Sequence, residues 1–409
     1  MLICGGISLF SFLISGAFTI SLTDIVIGIL ILYGLFVNRL MLRGPVFYAI
    51  LFFALVSFLS GTVNTIADRT FFVGNFLVNY IRVIGLVGMI LLLPPLQRKI
   101  GHNRLAMATL WVLRVHAVLI IADAFLPNPL DWTGVGIGWS DRAIDFNRPR
   151  GLFLEPSFFG IYAGLSLLYI LQVERNTGIR NLGILDITLF SLSLIASTSV
   201  SAVAFLLLFL YELSRRTGKF NGAKLLIALV LIIFSVGLLA ERFQKETSTG
   251  LNLVYIAKKV GNLRYGLKDE NIRGRGLGSL NFSLEVIDTS PLLGVGLGGK
   301  NQNRILYQLG EPVNSGLPSE FISFGSTVMS SSVIIGTGLI GFLSYAFIFL
   351  WMFKSHRTSI MGKSLVAVSL MWGNAFAPMV WWYICLGVSM SESGKKITKS
   401  RRLFSPNYQ

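Results

Sequence analysis

The residues of this chain best suited to chemistry sit in two polar clusters. The first reads Arg148-Pro-Arg150-Gly151-Leu-Phe-Leu-Glu155-Pro156-Ser157, two cations and a carboxylate next to an apolar stretch. The second contains Arg264, Lys268, Arg273-Gly-Arg275-Gly-Leu-Gly and then Pro291-Leu-Leu-Gly294-Val-Gly296-Leu-Gly298-Gly299-Lys300. Guanidinium forks bind phosphate oxygens in pairs, and glycines let backbone N–H groups approach an anion closely. The second cluster lacks the lysine and hydroxyl spacing of a P-loop, so nucleotide binding does not follow from it. Pro156 suits the first turn of a helix and places Glu155 at its N-cap. The same residues fit a capping carboxylate beside solvated arginines. Against that, Phe153, Leu154, Phe158 and Phe159 draw the segment toward the membrane interface, where unpaired charge is costly.

These clusters are set in a chain made mostly of lipid-compatible sequence. Of 409 residues, 53% are hydrophobic and 13% charged, and the mean hydropathy is +0.70. Apolar runs long enough to cross a bilayer recur throughout. The composition predicts an all-α polytopic membrane protein with one integral domain over 1–409 and no separate soluble domain. Residues 1 to 20 lack a basic leading region and read as a first span rather than a cleaved signal.

Hydropathy places spans near 3 to 20, 24 to 37, 45 to 62, 76 to 96, 105 to 126, 156 to 173, 224 to 240 and 326 to 353. Stretches 182 to 213 and 364 to 391 are too long for one crossing. Cations collect at Arg39/Arg43, Arg98/Lys99/Arg104, Arg175/Arg180, Arg215/Arg216/Lys219, Lys354/Arg357/Lys363 and in the tail from Lys395 to Arg402. Short cytoplasmic loops are enriched in Lys and Arg, so all of these are assigned to the inside. Stretch 182 to 213 must then turn near Ser197-Thr198-Ser199, and 364 to 391 near Asn374 to Pro378. About 12 transmembrane helices result, with both termini cytoplasmic and larger external loops over about 127–155 and 241–325. The second loop holds ten Lys/Arg against eight Asp/Glu, which is permitted because long loops translocate regardless of charge. Most of the net charge of +16 is explained by topology, and nucleic acid is not an expected partner.

Within the spans, Arg82, Arg114, Asp123 and Asp186 are ionisable and are functional candidates by default, with a structural ion pair to another helix equally open. Arg114 and Asp123 are separated by about 13 Å of helical rise, too far to pair directly. Neither these residues, the three histidines nor Cys4 and Cys385 form a metal or redox set.

The two clusters, their order and the number of spans resemble the O-antigen polymerase and ligase family, the Wzy-type polymerases of surface polysaccharide. Arg148 to Ser157 is similar to the family's Arg-x-x-Gly-x-Phe segment entering a helix. Gly274-Arg275 followed by Pro291-Leu-Leu-Gly294-Val-Gly296 resembles its large-loop signature. The resemblance implies a GT-C-like architecture in a bacterial cytoplasmic (inner) membrane. It also implies an inverting glycosyl transfer needing no metal or cofactor, from a polyprenyl-diphosphate-linked glycan donor to an acceptor at the outer face. Membrane lipid and a chain-length regulator protein are the implied partners.

A lipid-linked repeat unit as acceptor makes a polymerase, and lipid A core makes a ligase. Ligases of the family carry a histidine between the Gly-x-Gly segment and the next span, and Gly299 to Ser332 contains none, which favours the polymerase. The Arg-x10-Gly spacing of some polymerases is absent, since Arg148 and Arg150 lead to Phe159 and Ile161. Displacing a diphosphate without a metal requires cations. The resemblance therefore implies Arg148 and Arg275 as diphosphate ligands and Arg150, Arg273, Arg264 and Lys300 as further substrate-binding groups. Glu155 is the candidate general base, with orientation of the arginines as its alternative role. A lateral opening to lipid beside a polar external cavity is expected. The competing class is a flippase or transporter of lipid-linked sugar, which does not require the long external loop.

Overall fold

The computed structural model describes residues 11–14, 18–21, 28–29, 32, 45–124, 153, 156–197, 200–217, 283–284, 287–308, 329–356, 368, 380–387 and 389–390. Two short strands, β1 (Ser11–Ile14) and β2 (Phe18–Ser21), come first and pair antiparallel with Phe12 opposite Ile20. The helices are α1 (Pro45–Ala67), α2 (Val73–Ile100), α3 (His102–Ala124), α4 (Pro156–Thr177), α5 (Ile184–Ala196), α6 (Val200–Thr217), α7 (Gly299–Gln308) and α8 (Met329–His356). Residues 380–387 are also helical.

The strand pair overlaps the expected span over 3 to 20, and every other described element is helical. Phe12 and Ile14 stand opposite Ile20 and Phe18, and aromatic and β-branched side chains pack well in such cross-strand pairs. Elsewhere the helical spans fall where hydropathy puts them. Four described stretches are long and apolar enough to cross a membrane: Tyr48–Ala67, Val73–Ile90, His102–Ala124 and Ser330–Ile348. The chain is a helical membrane protein. Stretch 182 to 213 is divided into α5 and α6, which pack together across a break that begins at Ser197. The expected spans 224 to 240 and most of 24 to 37 and 364 to 391 lie outside the described residues.

Helix α4 is the centre of the bundle and packs on α3, α5 and α6. Every residue from Phe159 to Glu174 is buried, and a helix buried all round needs small residues where a neighbour approaches closely. Gly160 and Gly164 supply them. A Cβ at Gly160 would lie 2.7 Å from the Ala202 backbone nitrogen, and one at Gly164 would lie 2.2 Å from Cγ of Phe205. This Gly-x-x-x-Gly stripe seats α4 on α6.

A second group, α1 with α2 and α8, joins the same core through Phe53, Phe76 and Tyr345. Between α1 and α8 an open apolar groove of about 550 Å³ is lined by Tyr48, Phe52, Leu343, Ser344 and Phe347. Ser344 Oγ donates to the Ala49 carbonyl at 2.6 Å, so the groove presents hydrocarbon surface to lipid.

Candidate functional site

Helix directions sort the polar clusters onto two ends. Helix α2 has 28 residues, about 40 Å at 1.5 Å per residue, and its C-terminus turns at Gly101 into α3. Two cationic turns and the residues around Ser389 meet there. His102 faces Tyr169 of α4, with Nδ1 3.3 Å from the phenol oxygen. Asn181 Nδ2 donates to Asn103 Oδ1 at 3.3 Å, and Ser389 Oγ lies 3.3 Å from His102 Nε2. The Arg98 to Arg104 turn, the Arg175 to Arg180 turn and the chain leading to the basic tail thus share one end, as their common assignment to one side requires. The N-termini of α2 and α4 lie at the other end. Pro156, which follows Glu155, and the segment Pro291 to Lys300, which contacts the N-terminus of α2, are therefore on the same side of the bundle.

The glycine-rich segment is spliced into a broken helix. Gly338 (φ 63, ψ −168) interrupts α8. An uninterrupted helix would send the Leu339 N–H to Ile335 O and the Ile340 N–H to Gly336 O. Instead Leu339 N–H donates to Pro291 O (2.9 Å) and Ile340 N–H to Leu292 O (3.4 Å), while Ile335 O accepts Val295 N–H (2.9 Å) and Gly336 O accepts Gly296 N–H (3.1 Å). Ser60 Oγ also donates to Gly336 O at 2.9 Å, and Asn64 Nδ2 donates to Gly294 O at 3.0 Å. Irregular backbone at membrane depth persists only where protein satisfies its polar groups, and this segment does so. The left-handed conformations at Gly294 and Gly296 (φ 66 and 90) are needed to fit it there. A Cβ at Gly294 would lie 2.4 Å from Ile335 O. The N–H groups of Gly294, Val295 and Gly296 are spent on protein carbonyls, which removes them as anion donors and corrects the reading of these glycines as a phosphate cradle.

The segment continues into α7, and here the structure places the one candidate binding residue it describes. Lys300 N–H donates to Asn75 Oδ1 (3.2 Å), and its Nζ lies 5.8 Å from the Phe72 ring centroid, within cation–π reach. Asn301 fixes the register, accepting Phe72 N–H at 2.8 Å and donating to Phe72 O at 3.3 Å. Arg148, Arg150, Glu155, Arg264, Arg273 and Arg275 lie outside the described residues.

The other cluster is anchored by Phe153. It is fully buried, with ring centroids 4.9 Å from His116, 5.6 Å from Tyr162 and 5.7 Å from Phe159. The tendency of the Phe153 to Phe159 stretch to bury is seen at these two residues, and Phe158 is half-buried. His116, on the buried face of α3, is the platform under Phe153. Neither of its ring nitrogens has a partner among the described residues. Its position on the buried face of α3 was readable from helical period, but its contact with Phe153 was not.

Of the ionisable residues within spans, Arg114 and Asp186 form a two-pronged pair, Nε to Oδ1 at 2.7 Å and Nη2 to Oδ2 at 3.0 Å. Asp186 also accepts the N–H of Gly183 at the start of α5 (3.1 Å), and the Arg114 guanidinium stacks 4.7 Å over Trp111. The pair joins α3 to α5 and is structural. Asp123 is buried and Arg82 half-buried. Among the described residues no three His, Cys, Asp or Glu side chains are grouped to hold a metal ion.

Fold and site together define a helical membrane protein in which Pro156 and the Pro291 to Lys300 segment lie at the end opposite the Arg98 to Arg104 and Arg175 to Arg180 turns. No protein-family model matches the chain, and no curated protein matches it.

Proposed function

We propose that this protein is a polysaccharide polymerase that joins polyprenyl-diphosphate-linked repeat units at the outer face of a bacterial cytoplasmic membrane, with both termini inside. The observation that supports this reading most is the shared placement of Pro156 and Lys300. Pro156 and Lys300 lie toward one end of the bundle, and the Arg98 to Arg104 and Arg175 to Arg180 turns meet at the other. The N-terminus of α4 carries the positive end of a 22-residue helix, which favours an anion beside it.

In the proposed reaction an acceptor hydroxyl attacks the anomeric carbon of the donor. A C–O bond to that carbon forms as the bond to the diphosphate oxygen breaks, with inversion. Glu155 receives the hydroxyl proton, and the departing polyprenyl diphosphate takes the electron pair. Arg148 and Arg275 neutralise it, assisted by Arg150, Arg273, Arg264 and Lys300. The bilayer holds donor and acceptor in one plane, which lowers the entropic cost of their encounter.

Purified protein supplied with a lipid-linked repeat unit tests the proposal. A ladder of lengthened products is expected. Transbilayer movement without lengthening would make the protein a flippase, and transfer only to lipid A core would make it a ligase. Arg148→Ala is expected to abolish the ladder while Arg148→Lys retains part of it, and Glu155→Gln is expected to stop transfer. A fusion reporter at Asn262 should report the external side, and cytoplasmic activity there would overturn the topology.

A further inference from the structure

The cationic end carries a feature that the transfer reaction does not use. Along α3 the exposed residues are Arg104, Ala108, Trp111, Val115, Val118 and Ala122, spaced by three and four, so they form one stripe on one face. Trp111, Val115 and Val118 are 61%, 50% and 54% exposed, an apolar lane headed by a cation. From Arg104 to Val118 the lane runs about 21 Å along the axis, somewhat more than the roughly 15 Å of hydrocarbon in one leaflet. Helix α5 flanks it with Ile184 and Leu185, 81% and 82% exposed. The Arg114–Asp186 pair that ties α5 to α3 cancels its own charge within this face.

The head of the lane is strongly positive. The Asn181–Asn103 hydrogen bond joins the turn that carries Arg180 to the first turn of α3, which carries Arg104. Lys99, Arg104, Arg175 and Arg180 are exposed, and none forms an ion pair among the described residues. The nearby Glu174 carboxylate is buried, and one of its oxygens accepts the N–H groups of Asn181 and Leu182 (2.7 Å from Leu182). Ile100 and Ile179 add exposed apolar surface to the same two turns.

We propose that this face is a binding site for an anionic phospholipid. Its phosphate sits between Arg104 and Arg180, with Lys99 and Arg175 at the rim, and its acyl chains lie along Trp111, Val115 and Val118 against Ile184 and Leu185. Charge complementarity selects the headgroup, and the length of the lane selects a membrane lipid over a soluble anion. The site is at the end opposite the proposed transfer site and stands or falls independently of it.

The full-length protein in nanodiscs, carrying equal mole fractions of phosphatidylglycerol and phosphatidylcholine, tests this. In one sample only the phosphatidylglycerol chains are brominated, and in the other only the phosphatidylcholine chains. Bromine quenches indole fluorescence on contact, and the part of the signal lost in Trp111→Phe reports the lane. Stronger quenching of that part by phosphatidylglycerol is expected. The preference should fall about fivefold for each cation removed by Arg104→Gln or Arg180→Gln and persist in Arg104→Lys. Equal quenching by the two lipids in the unsubstituted protein would overturn the proposal. So would a preference that survives the Arg104→Gln/Arg180→Gln double variant.

Discussion

Replacing Gly294 by alanine examines whether the glycine-rich segment is a structural splice. Three costs arise at that position. An L-residue in the left-handed region loses about 1–2 kcal/mol, and the residue is held there at φ 66. The new Cβ would meet Ile335 O at 2.4 Å, Gly338 N at 2.6 Å and Thr337 N at 2.8 Å. All three are backbone atoms that cannot rotate away, so relief requires the segment to lift, at about 1–3 kcal/mol. Lifting it would weaken the bonds from Val295 and Gly296 to α8, each worth about 1 kcal/mol when made and more when its partner is left buried and unpaired. A loss of about 4–7 kcal/mol follows. Gly101→Ala is the control. Gly101 also has positive φ (90, with ψ 134), but nothing lies within 4 Å of its added Cβ, so only the backbone cost applies, about 1–3 kcal/mol in that sparsely populated region. Reversible unfolding in mixed micelles, followed by circular dichroism, compares the two. If Gly294→Ala is no more destabilising than Gly101→Ala, the splice does not hold α8 together and the reasoning fails.

Removing one partner of the Arg114–Asp186 pair should cost about 3 kcal/mol by leaving a desolvated charge. Arg114→Leu alone should therefore be less stable than Arg114→Leu/Asp186→Asn in the same unfolding assay. Gly160→Leu should separate α4 from α6 and lower stability by about 2 kcal/mol or more, seen as a reduced melting temperature, because its Cβ is directed at the Ala202 backbone. Cys385 is fully buried, so in a Cys4→Ser background maleimide labelling should be negligible in the folded protein and complete after denaturation. Rapid labelling of the native protein would place residue 385 outside the core.

The sequence supports some of these elements better than others. Spans near 45 to 62, 76 to 96, 105 to 126 and 326 to 353 were legible because burial in lipid demands a long apolar run with every backbone group satisfied internally. The division of 182 to 213 into two helices was legible from charge alone, since the cations at Arg180 and Arg215 flank it. The hairpin at Ser11–Ser21 was not, because a short apolar run carries no period long enough to separate strand from helix. Lys300 was a candidate from its place after a glycine-rich run. Its contact with Phe72 depends on the register that Asn301 sets with α2, and no local pattern encodes that register.

Hydropathy by itself determined that this chain enters a membrane as helices, and charge paired the Arg98 to Arg104 turn with the Arg175 to Arg180 turn, which the structure brings together at one end. Both properties act on each segment separately, through transfer free energy and loop charge, so they survive in one dimension. Only the tertiary structure decided what the glycines do. Gly160 and Gly164 became a contact between helices, and Gly294 and Gly296 became the means by which a loop completes the hydrogen bonding of a broken helix. It also decided that Arg114 pairs with Asp186, 72 positions away, and that Phe153 rests on His116. Such contacts depend on which surfaces meet, and a glycine or an arginine has the same identity in the sequence whichever surface it comes to face.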